Sequence, residues 1–241
     1  MPLKPPSSGL TGGPVEVVIL AAGASRRMNG VDKIFTPLYN IPLIVHSIKV
    51  FNDCPFVHQI VLVLPNPRLE EGRHLVAHHG LHKVSTVCSG GARRQDSVRE
   101  GLKHLSSSCW VMVHDGARPI IDAGILQRGL KAAQETGAAV AAVPAKDTVK
   151  AVSRSGIVKE TLPRDSVWLI QTPQVFDYHL LKEAHQQIDS YFTDDGAMVE
   201  NLGKSVKIFM GSYRNIKITT PEDLLIGETL IREPRIRSTS S

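Results

Sequence analysis

Cysteine is scarce in this chain, and its placement excludes two classes of protein at once. Cys54, Cys88 and Cys109 are odd in number, widely spaced and form no C-x-x-C pair. Neither a disulfide framework nor a thiol-ligated zinc site is implied, and a reduced, cytoplasmic protein is expected. No apolar run approaches the roughly 20 residues of a membrane span, so no membrane partner is expected. Net charge is +5, but the basic residues are not gathered into one long run, and nucleic acid is not the expected partner. The chain also lacks a G-x-S-x-G nucleophile elbow, the G-x-G-x-x-G dinucleotide spacing and the G-x-x-x-x-G-K-[ST] loop. His78, His79 and His82 have no acidic neighbours in the sequence around them. They read as exposed residues at a helix end, and no protein-ligated metal is expected.

What is there is an ordinary globular balance, 42% apolar and 21% charged over 241 residues, enough for one α/β domain with a small appendage. Residues 1–14, rich in Pro, Gly and Ser, are expected as a flexible lead, 15–232 as the domain and 233–241 as a flexible tail. Continuous apolar runs predict strands at Val15–Ala21, Gln59–Leu64, Lys83–Cys88, Trp110–His114, Ala138–Pro144 and Val206–Met210. Helical spacing predicts helices at Ile41–Asn52, Arg94–Leu105, Ala123–Thr136 and Asp177–Ile188. A last helix follows Thr220, with Pro221 at its first position and Asp223 completing a capping box. This alternation predicts an α/β, doubly wound, mostly parallel sheet flanked by helices, with ligands outside the carboxyl ends of its strands. Residues 146–172 break the rhythm. Thr148–Val152 and Gly156–Thr161 read as a projecting hairpin turning at Arg154–Gly156, which needs another surface to be stable.

The chemistry-bearing motifs follow strands. V-E-V-V-I-L-A-A-G-A-S-R-R-M runs from Val15 to Met28: an apolar strand, then Ala21, Ala22 and Gly23, then fixed positive charge, with Lys33 beyond. Small residues let backbone N–H groups approach phosphate oxygens, and Arg and Lys supply counter-charge. Cys88 to Ser97 reads C-S-G-G-A-R-R-Q-D-S, a strand end opening a helix, where Gly91 and Ser97 suit a base or ribose. Val113-His114-Asp115-Gly116-Ala117-Arg118-Pro119 delivers an acid and a base at a third strand end. Asp115 there is a candidate for a metal or a substrate hydroxyl, or for a structural pair with Arg118. K-D-T-V-K and L-P-R-D sit at the base of the hairpin. Lys217, between Ile216 and Ile218, faces away from them just before a helix N-terminus, which favours anions.

These stretches, with D-K-I-F, Q-T-P-Q and N-I-K-I-T-T-P-E-D-L, in this order, resemble the 2-C-methyl-D-erythritol 4-phosphate cytidylyltransferases of the non-mevalonate isoprenoid pathway. The resemblance runs from about Val15 to Ile231. It implies a Rossmann-like nucleotidyltransferase fold and a homodimer joined by β-arms, residues 146–172 being the arm. It also implies transfer of CMP from CTP to methylerythritol 4-phosphate, with Mg²⁺ held mainly by CTP phosphates and water. Ala21, Ala22, Gly23, Gly91, Ser97, Asp115 and Gly116 are then expected around the nucleotide. Arg27 and Lys33 would stabilise the α-phosphate and leaving pyrophosphate, while Arg164 and Lys217 would hold the attacking phosphate. Asp115, Arg118, Thr148, Arg164, Thr193 and Lys217 would form the sugar-phosphate site, some from the partner's arm. The sequence departs from many relatives at Ser25, at Gly30-Val31-Asp32 and at Gly116, none of which removes a needed charge. A cytidylyltransferase for another polyol phosphate, such as ribitol 5-phosphate, and a non-catalytic nucleotide-binding regulator are the alternative readings.

Overall fold

A computed structural model describes residues 13–23, 34–106, 110–188 and 190–233. In chain order its elements are β1 (Val15–Leu20), β2 (Pro37–Leu38), β3 (Ile41–Pro42), α1 (Leu43–Asn52), β4 (Val57–Leu64), α2 (Leu69–His78), β5 (Val84–Ser89), α3 (Arg94–Leu102) and β6 (Trp110–Asp115). There follow α4 (Ala123–Thr136), β7 (Ala138–Pro144), β8 (Lys150–Val152), β9 (Val158–Thr161), β10 (Trp168–Asp177), α5 (Tyr178–Gln187), α6 (Asp195–Asn201), β11 (Lys207–Met210) and α7 (Pro221–Arg232). Seven strands form one sheet in the order β11-β7-β10-β6-β1-β4-β5. β1 is parallel to β4 and β6, β4 to β5, and β11 to β7. β10 alone among the described strands of this sheet runs antiparallel to both its neighbours, β6 and β7.

Both faces of the sheet are covered, which is why its strands read as unbroken apolar runs. Along β1, Val15, Val17 and Ile19 join a core built with Ile44, Ile48 and Phe51 of α1, Leu75 of α2 and Ile125 and Leu130 of α4. Val18 and Leu20 point the other way, to Val98 and Leu102 of α3, Leu181 of α5 and Met198 of α6. The helix ends follow their capping chemistry. Asp122 accepts from Ile125 N at α4, Asp177 from His179 and Leu180 N at α5, and Thr220 from Asp223 N at α7.

The expected hairpin is present but shorter than residues 146–172. β8 pairs with β9, and the turn closes with Gly156 N donating to Ser153 O at 3.0 Å and Gly156 at φ +80°. Trp168 to Thr172, expected in the arm, belong instead to β10. A proline and three polar side chains at 171–174 hide that strand's apolar pattern from the sequence. The chain runs outward from β1 through β4 to β5, then returns to β6 on the other side of β1. That reversal brings the carboxyl ends of β1, β5 and β6 to one edge, where a doubly wound sheet binds its ligands.

Candidate active site

Two cavities open at this edge. One, of about 320 Å³, is lined by Leu20, Ala21, Ala22, Gly23, Ile34, Gly91, Ala92, Arg93, Arg94, Ser97, Asp115, Ala117 and Lys217. The other, of about 340 Å³, is lined by Arg94, Asp115, Arg118, Ile170, Gln171, Thr172, Gln174, Thr193, Asp194 and Lys217. Arg94, Asp115 and Lys217 are common to both. The loops that shape the first cavity are tied to the strand ends, with Ala21 N donating to Val63 O at 2.8 Å and Gly90 N to Leu64 O at 2.9 Å. Glycine is required there by space: a Cβ on Gly91 would lie 2.4 Å from Asp96 Cβ, and one on Gly90 2.4 Å from Ala22 Cβ. Ser97 Oγ accepts from Gly91 N at 3.2 Å and donates to Arg93 O, which folds the loop back on the start of α3.

Asp115 is the electrostatic centre. Its carboxylate meets Lys217 Nζ at 2.7 Å, Arg94 Nε at 3.5 Å and Arg118 Nε at 3.9 Å. Burial pushes its pKa up, but Arg94, Lys217 and Arg118 overcome that and hold it well below the usual carboxylate range. Behind it, Asp115 N donates to Thr172 Oγ1 at 3.0 Å, and Thr172 Oγ1 lies 3.0 Å from His114 Nδ1. His114 Nε2 faces Arg118 O at 3.2 Å. A neutral imidazole, donating from Nε2 and accepting at Nδ1, satisfies this chain of bonds. Burial lowers the pKa of His114 to about 4.

Arg94 is partly buried between two acids. Nη1 donates to Asp195 Oδ2 at 2.7 Å, and Nη2 has no hydrogen-bond partner among the described residues. Burial disfavours its charge, yet Asp195 and Asp115 outweigh burial and raise its pKa. Arg118 Nη1 donates to Asn215 O at 2.7 Å, and Asn215 Nδ2 in turn donates to Thr172 O at 2.8 Å. Lys217 is carried in by Ile218, which is fully buried against Leu38 and Leu43 and donates its N–H to Ala117 O at 2.8 Å.

The structure thus gathers Ala21, Ala22, Gly23, Gly91, Ser97 and Asp115 around the first cavity, and Asp115, Arg118, Thr193 and Lys217 around the second. Gly116 is packed beneath rather than on the wall: its N–H donates to Leu20 O at 2.8 Å and its carbonyl accepts from Ser47 Oγ at 2.7 Å. Thr148 and Arg164 lie exposed at the hairpin's base and line neither cavity. Arg27 and Lys33 lie outside the described residues. Arg94 was missed by sequence reasoning. Its signal was a cation at the first position of a helix, where the dipole repels positive charge and an acidic environment has to compensate. Thr172 and Asn215 were missed as single polar side chains whose burial only the fold reveals.

A glycine-lined cavity at the switch point of a doubly wound sheet, sharing Arg94, Asp115 and Lys217 with a second cavity, is an arrangement that suits a nucleotidyltransferase. A family model for 2-C-methyl-D-erythritol 4-phosphate cytidylyltransferase matches residues 15–233, and the chain belongs to that family. It is 48% identical to the protein of that name from Dehalococcoides mccartyi strain 195 over 92% of this chain and 97% of that one. It is 44% identical to the one from Alkaliphilus oremlandii over 91% and 95%. Among solved structures it is similar to the 4-diphosphocytidyl-2C-methyl-D-erythritol synthase of Anaerococcus prevotii, with a TM-score of 0.83 at 26% identity over 93% of this chain and 98% of that one. It is also similar to the cytidylyltransferase of Thermus thermophilus, with a TM-score of 0.73 at 32% identity over 91% and 100%.

Proposed function

We propose that the two joined cavities are the two halves of one reaction site, CTP on the Ala21–Gly23 and Gly91 side and 2-C-methyl-D-erythritol 4-phosphate on the Arg118 and Thr193 side. As a member of its family the chain is a cytidylyltransferase: it transfers CMP from CTP to 2-C-methyl-D-erythritol 4-phosphate, giving 4-diphosphocytidyl-2-C-methyl-D-erythritol and pyrophosphate. The observation that carries the division into halves is the wall shared by Arg94, Asp115 and Lys217.

The substrate phosphate is already ionised near neutral pH and attacks the α-phosphorus of another anion. The barrier is mutual repulsion and the charge of the transition state, so positioning and fixed cations supply the catalysis. Lys217, held over Asp115, and Arg164 hold the attacking phosphate in line. The family resemblance assigns Arg27 and Lys33 the charge of the α-phosphate and the leaving pyrophosphate. Asp115 stays ionised among its three cations and accepts a substrate hydroxyl. Its commitment to those cations makes it a poor metal ligand. Mg²⁺ would neutralise triphosphate charge, held mainly through CTP phosphates and water as the family resemblance implies.

Exposure of the arm supports a homodimer. Val152, Ile157 and Val158 are each more than half exposed, an apolar face that a second copy would cover, bringing Thr148 and Arg164 to the partner's second cavity. Cys54 and Cys88 carry free thiols, which fits a reducing cytoplasmic location. No described helix is long and apolar enough to cross a membrane.

The deciding assay supplies Mg²⁺, each of the four nucleoside triphosphates and a panel of polyol phosphates, and measures pyrophosphate. Release with CTP and 2-C-methyl-D-erythritol 4-phosphate alone is the expected result. Equal release with ribitol 5-phosphate would overturn the substrate assignment, and no release with any pair would overturn the enzymatic one.

A further inference from the structure

Behind the shared wall lie two buried groups that the reaction chemistry does not use. Asp195, at the start of α6, is completely buried; Oδ2 accepts from Arg94 Nη1 at 2.7 Å and Oδ1 lies 2.9 Å from His185 Nε2. The His185 side chain, on α5, is 2% exposed. Neither residue lines either substrate cavity. The carboxylate is not spent on capping its own helix, because Asp194 does that by accepting from Ala197 N at 2.8 Å. A buried imidazole, carboxylate and guanidinium in line are costly to desolvate, and apolar side chains of equal volume would pack as well. What the line achieves is directional. It fixes one end of the Arg94 fork on Asp195 while Nε faces Asp115, so the guanidinium is held from two sides where Arg94 lines both cavities.

We propose that His185 and Asp195 are positioning residues for cytidylyl transfer: the His185 Nε2–H holds the Asp195 carboxylate, and that carboxylate holds Arg94 in the wall shared by the two cavities. This rests on the functional reading above. The fold does not depend on the His185 side chain to hold the connection between α5 and α6, since α3 ties that segment down separately. Gln95 Nε2 donates to Ser190 O at 3.0 Å, Phe192 N donates to Gln95 Oε1 at 3.2 Å, and Arg99 donates to the carbonyls of His185 and Ile188 at 3.0 and 2.6 Å. Removing the imidazole therefore loosens the aim of Arg94 while the backbone around it stays anchored.

The test pairs His185→Leu, which keeps volume and loses the donor, with His185→Gln, whose amide N–H reaches the same point and does not titrate. Steady-state pyrophosphate release from CTP and 2-C-methyl-D-erythritol 4-phosphate is measured beside thermal melting. The expected result is a cooperatively melting Leu variant with kcat down about tenfold or more and KM for CTP within about threefold, and a Gln variant with kcat within about threefold of wild type. Asp195→Asn, which keeps an acceptor and loses the charge, is expected to lose kcat as the Leu variant does. A folded Leu variant with wild-type kcat, or a Gln variant as slow as the Leu one, would overturn the proposal. If the Leu variant does not melt cooperatively, the Asn variant decides, and wild-type kcat there would overturn it. A wild-type protein that releases no pyrophosphate would instead overturn the functional reading itself, so the two failures are distinct.

Discussion

At the scale of single residues, the site is a balance of charges held in place by one another. Asp115 and Asp195 face Arg94, Arg118 and Lys217 across distances that fix every one of them. Small residues shape the first cavity, and Gly91 shows how tightly: its added Cβ would meet Asp96 Cβ, an atom that cannot swing aside. Gly91→Ala is expected to raise KM for CTP by about tenfold or more while thermal melting shows a folded protein. His114 gives the protein a defined acid sensitivity. Its pKa is near 6.5 unfolded and about 4 folded, so the unfolded state binds a proton first as pH falls. Its neutral form is accommodated fully above pH 6.5, and that stability is lost progressively down to pH 4. Between pH 7 and pH 5 the loss is about 2 kcal/mol. Urea unfolding at the two pH values should show that difference shrinking by the same amount in His114→Gln. The lining of the first cavity was legible in the sequence at 21–23 and at Gly91 because small residues after an apolar run have few other uses. Arg94, Thr172, Asn215 and Asp195 were not legible. Each is one polar residue in a polar stretch, and its meaning lies in burial supplied by elements far away in the chain.

Elements divide the labour between strand ends and helix starts. α7 illustrates this: Asp223 Oδ2 accepts from Thr219 and Thr220 N at 2.7 and 2.9 Å, and Thr220 Oγ1 accepts from Asp223 N at 3.4 Å. That reciprocal cap fixes the segment carrying Lys217 into the site. Thr220→Ala is expected to cost about 1 kcal/mol of stability in urea unfolding, with a larger KM for the sugar phosphate. This helix was legible in the sequence alone, because Thr220, Pro221 and Asp223 are a local signal. The strands at β1, β6 and β7 were legible too, being apolar runs buried on both faces. β10 was not, since its membership in the sheet comes from pairing with β6 and β7 rather than from its own composition.

At the scale of the whole molecule, the homodimer proposed above assigns the arm the joining of two chains. A charge on its exposed face, as in Ile157→Asp, is expected to leave a folded monomer in sedimentation equilibrium with little transferase activity. Mixing Arg164→Ala with Lys33→Ala protein is expected to restore part of the activity if sites form across two chains, and verified mixed dimers with none would argue for sites within one. The feet of the arm carry a further consequence. It leaves the sheet at Pro144 and returns at Trp168, two residues paired across β7 and β10, with Ala145 N donating to Val167 O at 2.9 Å. Chain exit and re-entry are therefore adjacent, as at the neck of a hairpin, so the intervening segment is a cassette that can be cut out or exchanged over a short turn. Evolution, or an engineer, can change the arm without disturbing the strand order of the main sheet.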